Sequence, residues 1–104
     1  MERYKVRIDT LAEEDVWKIV KHISQDLGEP GTAVKVRERI YREIFSLDTM
    51  PKRYALSRNP AFAQKGYCVT SVGKFLILYT VSVPARTVHI KRVVYGGQDW
   101  PSQI

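Results

Sequence analysis

The sequence predicts an α+β domain of order β-α-α-β-β-β, an antiparallel sheet with a helical hairpin packed on one face. Three observations predict it. A short alternating segment lies near the N-terminus, two apolar stripes of helical period follow, and three alternating segments joined by tight turns close the chain. At 104 residues the chain can bury one core, so residues 1–104 are expected to form a single domain.

Tyr4, Val6 and Ile8 alternate with Lys5, Arg7 and Asp9, the pattern of a half-buried strand. Thr10 and Glu13 have the spacing of a capping box, which predicts a helix starting at Leu11. Its stripe is Ala12, Val16, Ile19, Val20, Ile23 and Leu27, and Gly28 supplies a left-handed stop. Pro30 suits the first position of a second helix, whose stripe is Ala33, Val36, Ile40, Ile44 and Leu47 and which must end by Pro51. So short a connection predicts an antiparallel hairpin. Residues 50–66 read as a long loop with an irregular strand near Tyr54, and loops of that length are often functional. Strands are expected over 66–72, 74–83 and 86–95, with turns at Gly73-Lys74 and Pro84-Ala85. The middle strand is apolar on both sides, as a central strand should be.

Composition narrows the function. Apolar residues make up 44% and charged residues 27%, which argues for a folded globular chain. No apolar run approaches a membrane span, and Met1 to Lys5 has no signal-peptide core, so a cytoplasmic location with no membrane partner is expected. Cys68 is the one cysteine, which rules out an internal disulfide or a cysteine zinc cluster; His22 and His89 fall in different elements, and neither a metal nor a cofactor is expected. No glycine-rich run leads into a helix, so a P-loop is absent. The net charge of +6 is lopsided: residues 1–49 carry nine Lys/Arg against ten Asp/Glu, and residues 50–104 carry eight against Asp99 alone. A basic half of this kind suits nucleic acid or an acidic protein, or is a solvated face.

Metal-free RNA cleavage is the chemistry that these residues could attempt. It needs a base, cations around a pentavalent phosphate, and an acid for the leaving oxygen. Lys52, Arg53, Arg58, Lys91 and Arg92 offer cations, and His89 and Tyr95 could move protons. Strand parity places His89, Lys91 and Tyr95 on one face and Arg92 with Val88, Ile90 and Val94 on the other. Tyr95 reads either as a reactive group or as an aromatic plug at the sheet rim. Tyr54, Phe62, Tyr67 and Trp100, interleaved with basic residues, offer weak grounds for base stacking.

The order of elements, together with Gly66-Tyr67, Val72-Gly73-Lys74-Phe75-Leu76-Ile77-Leu78-Tyr79, Thr87 to Val93 and Gly96-Gly97-Gln98-Asp99, resembles the RelE/ParE superfamily of type II toxin–antitoxin and plasmid-stabilisation systems. The resemblance covers nearly the whole chain. It implies a toxin with a cognate antitoxin partner whose acidic or amphipathic segment wraps it. In the RelE-like branch, metal-free endoribonucleases cut messenger RNA on the ribosome with cations on the first two meander strands; here those positions correspond to Cys68, Thr70 and Leu76, which departs from the pattern. The closing Gly96 to Asp99 segment is similar to the ParE-like branch, which implies poisoning of DNA gyrase by binding. The expectation is therefore a ParE-like gyrase poison, with a RelE-like mRNA interferase or a non-toxic nucleic-acid-binding module as alternatives. Tyr95 and Arg92 would be catalytic in a nuclease, and Lys52, Arg53, Arg58, Lys74, Lys91, Gln98, Asp99 and Trp100 are the expected target-binding residues.

Overall fold

The computed structural model describes residues 3–49, 51, 57 and 60–97. Strand β1 (Lys5–Ile8) leads into helix α1 (Thr10–Lys21), which widens into a π turn over His22–Asp26. Helix α2 (Pro30–Ser46) and a short helix α3 (Pro60–Gln64) follow, then strands β2 (Cys68–Val72), β3 (Phe75–Ser82) and β4 (Thr87–Tyr95). The elements match the expected order. The helix α3 is an addition, inside the segment read as loop, and the strand expected near Tyr54 lies outside the described residues.

Helix α1 begins one residue early. Asp9 is its N-cap, neither Asp9 nor any other side chain caps it, and the Glu13 amide bonds the Asp9 carbonyl at 3.1 Å, so the Thr10–Glu13 capping box does not form. Gly28 at φ +66° reverses the chain as expected, and Pro30 opens α2 within its first turn.

The sheet order is β1-β4-β3-β2. The β2-β3-β4 meander is antiparallel, whereas β1 lies parallel to β4, with Lys5 opposite Thr87 and Ile8 opposite Ile90. The sheet is therefore mixed. The helices and meander between β1 and β4 supply the long crossover that a parallel pairing requires.

The core lies between the hairpin and one sheet face. Ala12 and Val16 of α1 and Ile40 and Ile44 of α2 meet Ile77 and Tyr79 of β3 and Val88, Ile90 and Val93 of β4. Of the stripe positions, Ile19, Val20 and Val36 are partly buried, and Leu27 is 56% exposed because the chain has left the helix before reaching it. Tyr79, wholly buried, donates its hydroxyl to the Pro51 carbonyl at 2.8 Å and so pins the chain after α2 to the middle of the sheet. Thr70 does the same for α2 itself, donating to Glu43 at 2.7 Å.

One irregularity changes the face assignments. Leu78 pairs with Arg92 but Tyr79 pairs with Ile90, so Lys91 is an extra residue in β4, a β-bulge. The bulge advances the alternation by one. Val93 joins Val88 and Ile90 in the cluster under the helices, Val94 is buried outside that cluster, and Tyr95 no longer shares a face with His89. The parity argument made from sequence fails at that residue.

Candidate functional site

Strand β1 ends opposite Ile90, so beyond that point β4 has no strand on its outer side. Helix α1 takes over that edge. Its Asp15 accepts the Val93 amide at 2.9 Å and receives Arg92 Nε at 2.7 Å and Nη2 at 3.0 Å. Both side chains are largely buried, 18% exposed for Arg92 and 12% for Asp15. The Asp15 hydrogen bond holds the Arg92 guanidinium above its ordinary pKa despite burial, with smaller contributions from Tyr67 and Glu14. Lys91 pairs with Asp9 at 3.1 Å. Arg92 and Lys91, expected in a cationic site, are thus engaged by acids of the N-terminal half.

At the far end of β3 and β4 the sheet edge opens into a groove of about 660 Å³. Its apolar walls come from Ile19, Ile23 and Leu27 on one side and Phe75 and Tyr95 on the other, with Lys18, His22, Lys74 and Glu29 among its polar lining. The π turn matters here: it places Ile23 in the wall and delivers the chain to Leu27, which would otherwise continue around the helix. His22 Nδ1 lies 2.9 Å from Asp26 Oδ2 across the same turn. Tyr95 is 49% exposed and sits edge-on to Phe75 at 6.2 Å. The Gly96 amide bonds the Lys74 carbonyl at 2.7 Å, and a Cβ on Gly96 would stand 3.0 Å from that oxygen, so a larger residue would crowd this contact beside Tyr95.

Tyr95 and Lys74 therefore come together, and Arg92 and Lys91 are held elsewhere on the same strand. Lys52, Arg53, Arg58, Gln98, Asp99 and Trp100 lie outside the described residues. Cys68 and Thr70 are buried on the helix-facing side of β2, and their alternates Val69 and Ser71 carry no charge. Sequence reading missed a second cationic locus by attending to the basic C-terminal half. Arg39 and Arg42, one turn apart on α2, flank a shallow hollow of about 230 Å³ with Glu43, Ser71 and Gly73, and neither arginine is in an ion pair with a described residue. Among the described residues no group of three His, Cys, Asp or Glu could hold a metal ion, and no helix is long and apolar enough to cross a membrane.

A helical hairpin over a small open sheet, with a largely apolar groove that Lys18 and Lys74 also line, defines a small α+β domain. The comparisons name the class. The sequence pattern of the ParE toxin of the type II toxin–antitoxin system, parDE, matches residues 6–100, and the chain belongs to that family, within the RelE/ParE superfamily of toxins. The fold is similar to the chromosomal ParDE toxin–antitoxin system of P. aeruginosa, with a TM-score of 0.74 and 18% identity over 91% of this chain and 98% of that one. It is also similar to the RelBE2 toxin–antitoxin complex of Mycobacterium tuberculosis, with a TM-score of 0.65 and 24% identity over 91% and 93% of the two chains. No curated protein matches the sequence.

Proposed function

We propose that this toxin acts as a ParE-like poison of DNA gyrase, by binding and without chemistry of its own, in the cytoplasm. One observation carries the choice over a nuclease: among the described residues, the strands do not gather the cations that phosphoryl transfer needs. β2 holds no Lys or Arg, Leu76 stands where a second-strand cation is expected, and Arg92 is bound by Asp15. A pentavalent phosphate without guanidinium or ammonium donors loses the electrostatic stabilisation on which its transition state depends. Lys52, Arg53, Arg58, Gln98, Asp99 and Trp100 are assigned to target contact in this reading, and residues 1–104 act as one domain.

A cognate antitoxin neutralises the toxin by laying an amphipathic segment in the groove between α1 and β3-β4. Apolar anchors meet Ile19, Ile23, Leu27 and Phe75, and acidic side chains meet Lys18 and Lys74 at the rim. The relatives of known structure were solved as toxin–antitoxin assemblies, which supports this partner.

The ribonuclease reading keeps one supporting observation, the half-exposed Tyr95 beside Lys74. Inducible expression with parallel readouts separates them. The expected result is growth arrest with intact messenger and accumulated gyrase-linked DNA breaks. Ribosome-dependent messenger cleavage that disappears in Tyr95→Phe would establish the nuclease instead. Absence of growth arrest, with salt-sensitive binding to DNA or RNA, would leave a non-toxic nucleic-acid-binding module.

A further inference from the structure

The cationic locus on α2 is set apart from the groove and from the β4 edge. Lys35, Arg39 and Arg42 recur at steps of four and three, so they share one stripe of the helix, and all three are exposed. At 1.5 Å per residue the row is about 10 Å long. It runs beside β2: Arg39 and Arg42 flank the hollow of about 230 Å³ that Ser71 and Gly73 also line. Gly73 turns at φ +56°, and a Cβ there would stand 4.0 Å from both Nη1 and Nη2 of Arg39, which places that guanidinium over the turn. Acids that could neutralise the row stand on the same helix and are not used. Glu38 lies four residues before Arg42 and Glu43 four after Arg39, the spacing of helical ion pairs, yet neither pair forms among the described residues. Glu43, the one acid lining the hollow, accepts the Thr70 hydroxyl at 2.7 Å and is drawn toward β2 instead.

With Glu43 engaged, the locus is left cationic and calls for an anion, and its shape decides which. A nucleotide needs apolar or aromatic walls for its base in a cleft of about 300–1,000 Å³. This hollow is shallower, and the one apolar side chain lining it, Val72, is itself buried. An acidic peptide takes most of its affinity from apolar anchors, and the hollow has no wall to receive one. A phosphodiester backbone needs neither, because ammonium groups and guanidinium forks at regular intervals hold it. One strand of duplex DNA carries a phosphate every 3.4 Å or so of axis, so a row of about 10 Å faces about three of them. We infer that Lys35, Arg39 and Arg42 form a binding site for the backbone of duplex DNA, with the Ser71 hydroxyl and the open Gly73 turn giving a phosphate room between the arginines and β2. That the strand is DNA rests on the reading of the toxin as a gyrase poison; the backbone contact stands without it.

Fluorescence anisotropy of the purified full-length toxin with a labelled DNA duplex of about 20 base pairs tests this. Binding should appear below about 100 µM at about 50 mM salt and weaken by about 40-fold at about 200 mM, from three phosphate contacts at a slope of about −0.9 each. Arg39→Gln with Arg42→Gln removes two contacts, so the slope should become shallower by about 1.8 and binding at low salt should fall by at least about tenfold. Arg39→Lys with Arg42→Lys keeps the charges and should keep the slope. Lys21→Gln with Arg37→Gln removes the same net charge from side chains that lie over Trp17 and Tyr41, and should move the slope by under about 0.5. All of these positions are exposed, so circular-dichroism melts of the variants should track the parent. Absence of binding at about 50 mM salt, or an equal loss in the two charge-matched glutamine variants, overturns the inference. So does a polyglutamate peptide that displaces the duplex at equal charge concentration. An RNA duplex of the same sequence bound over about tenfold tighter overturns the choice of DNA. The measurement contains no gyrase, so its failure leaves the gyrase reading to the DNA-break assay, and failure of that assay leaves the backbone contact standing.

Discussion

Replacing Asp15 with alanine removes the acceptor of three hydrogen bonds at once: two from Arg92, at 2.7 and 3.0 Å, and one from the Val93 amide at 2.9 Å. Breaking one side of a buried ion pair costs about 3–5 kcal/mol, because the other charge stays behind without a counter-ion. Here Arg92 is 18% exposed and can draw in water, which favours the lower end, about 3 kcal/mol. At roughly 4–6 °C per kcal/mol for a chain of this size, the melting temperature should fall by about 12–18 °C. Asp15→Asn keeps one oxygen for the Val93 amide but loses the charge, and should cost about half as much. A cycle with Arg92→Leu separates the pair from the bulge. The double variant Asp15→Ala with Arg92→Leu removes both charges and leaves only the amide orphaned, so it should be more stable than Asp15→Ala alone by about 1–2 kcal/mol. Urea unfolding at pH 7 measures all four. If Asp15→Ala lost under about 1 kcal/mol, or if the two sites behaved additively, the view that α1 seals the β4 edge through this carboxylate would be wrong. The arginine's contribution carries a sign of its own. Its pKa is raised by Asp15, so its part of the stability is complete at all pH values below the unfolded-state pKa and is lost only in strong alkali.

Three other outcomes follow from the same geometry. Tyr79→Phe leaves the Pro51 carbonyl without its 2.8 Å donor and should cost about 1–2 kcal/mol in urea unfolding, with no loss of packing volume. Gly96→Ala sets a methyl 3.0 Å from the Lys74 carbonyl and 3.1 Å from Leu76, and should lower stability by about 1–3 kcal/mol; melts equal to the parent's would refute the close approach. Leu27→Asp changes a side chain that is 56% exposed, so the melting point should hold within about 2 °C, while co-expressed antitoxin should no longer rescue growth; full rescue would remove the groove as its seat.

Residues with strong periodicity announced their places in the sequence. The stripes of α1 and α2, the Gly28 stop and the Pro30 start, and the two-residue turn at Gly73-Lys74 all follow from local backbone preferences, and each appears close to where those preferences put it. Features that depend on a neighbour in space did not announce themselves. A β-bulge at Lys91 cannot be read from Arg92-Val93-Val94, because two adjacent valines satisfy either register. Thr10 and Glu13 satisfy a capping pattern that the chain does not use, because Asp9 holds the cap position one residue earlier. The groove was legible in part: Ile19, Ile23 and Leu27 formed one stripe and Tyr95 stood out at a strand end, but only the sheet register brings them to opposite walls. The helix α3 is only five residues long, too short to show a period.

The lopsided charge of the sequence is where the fold alters the functional argument most. Read linearly, the C-terminal half is a cationic surface awaiting an anion. Folding brings acids of the N-terminal half onto it across roughly eighty positions: Asp9 reaches Lys91 and Asp15 reaches Arg92. These pairs knit β1, α1 and β4 together where β1 runs out, so the cations next to the last strand serve the architecture. Cations not engaged in this way stand on other elements, with Lys18 and Lys74 at the groove and Arg39 and Arg42 along α2. A nuclease built on this sheet would need its cations converging on one phosphate. The contact-based action proposed above asks only for an accessible apolar surface with charge at its edge, such as the groove between α1 and the ends of β3 and β4.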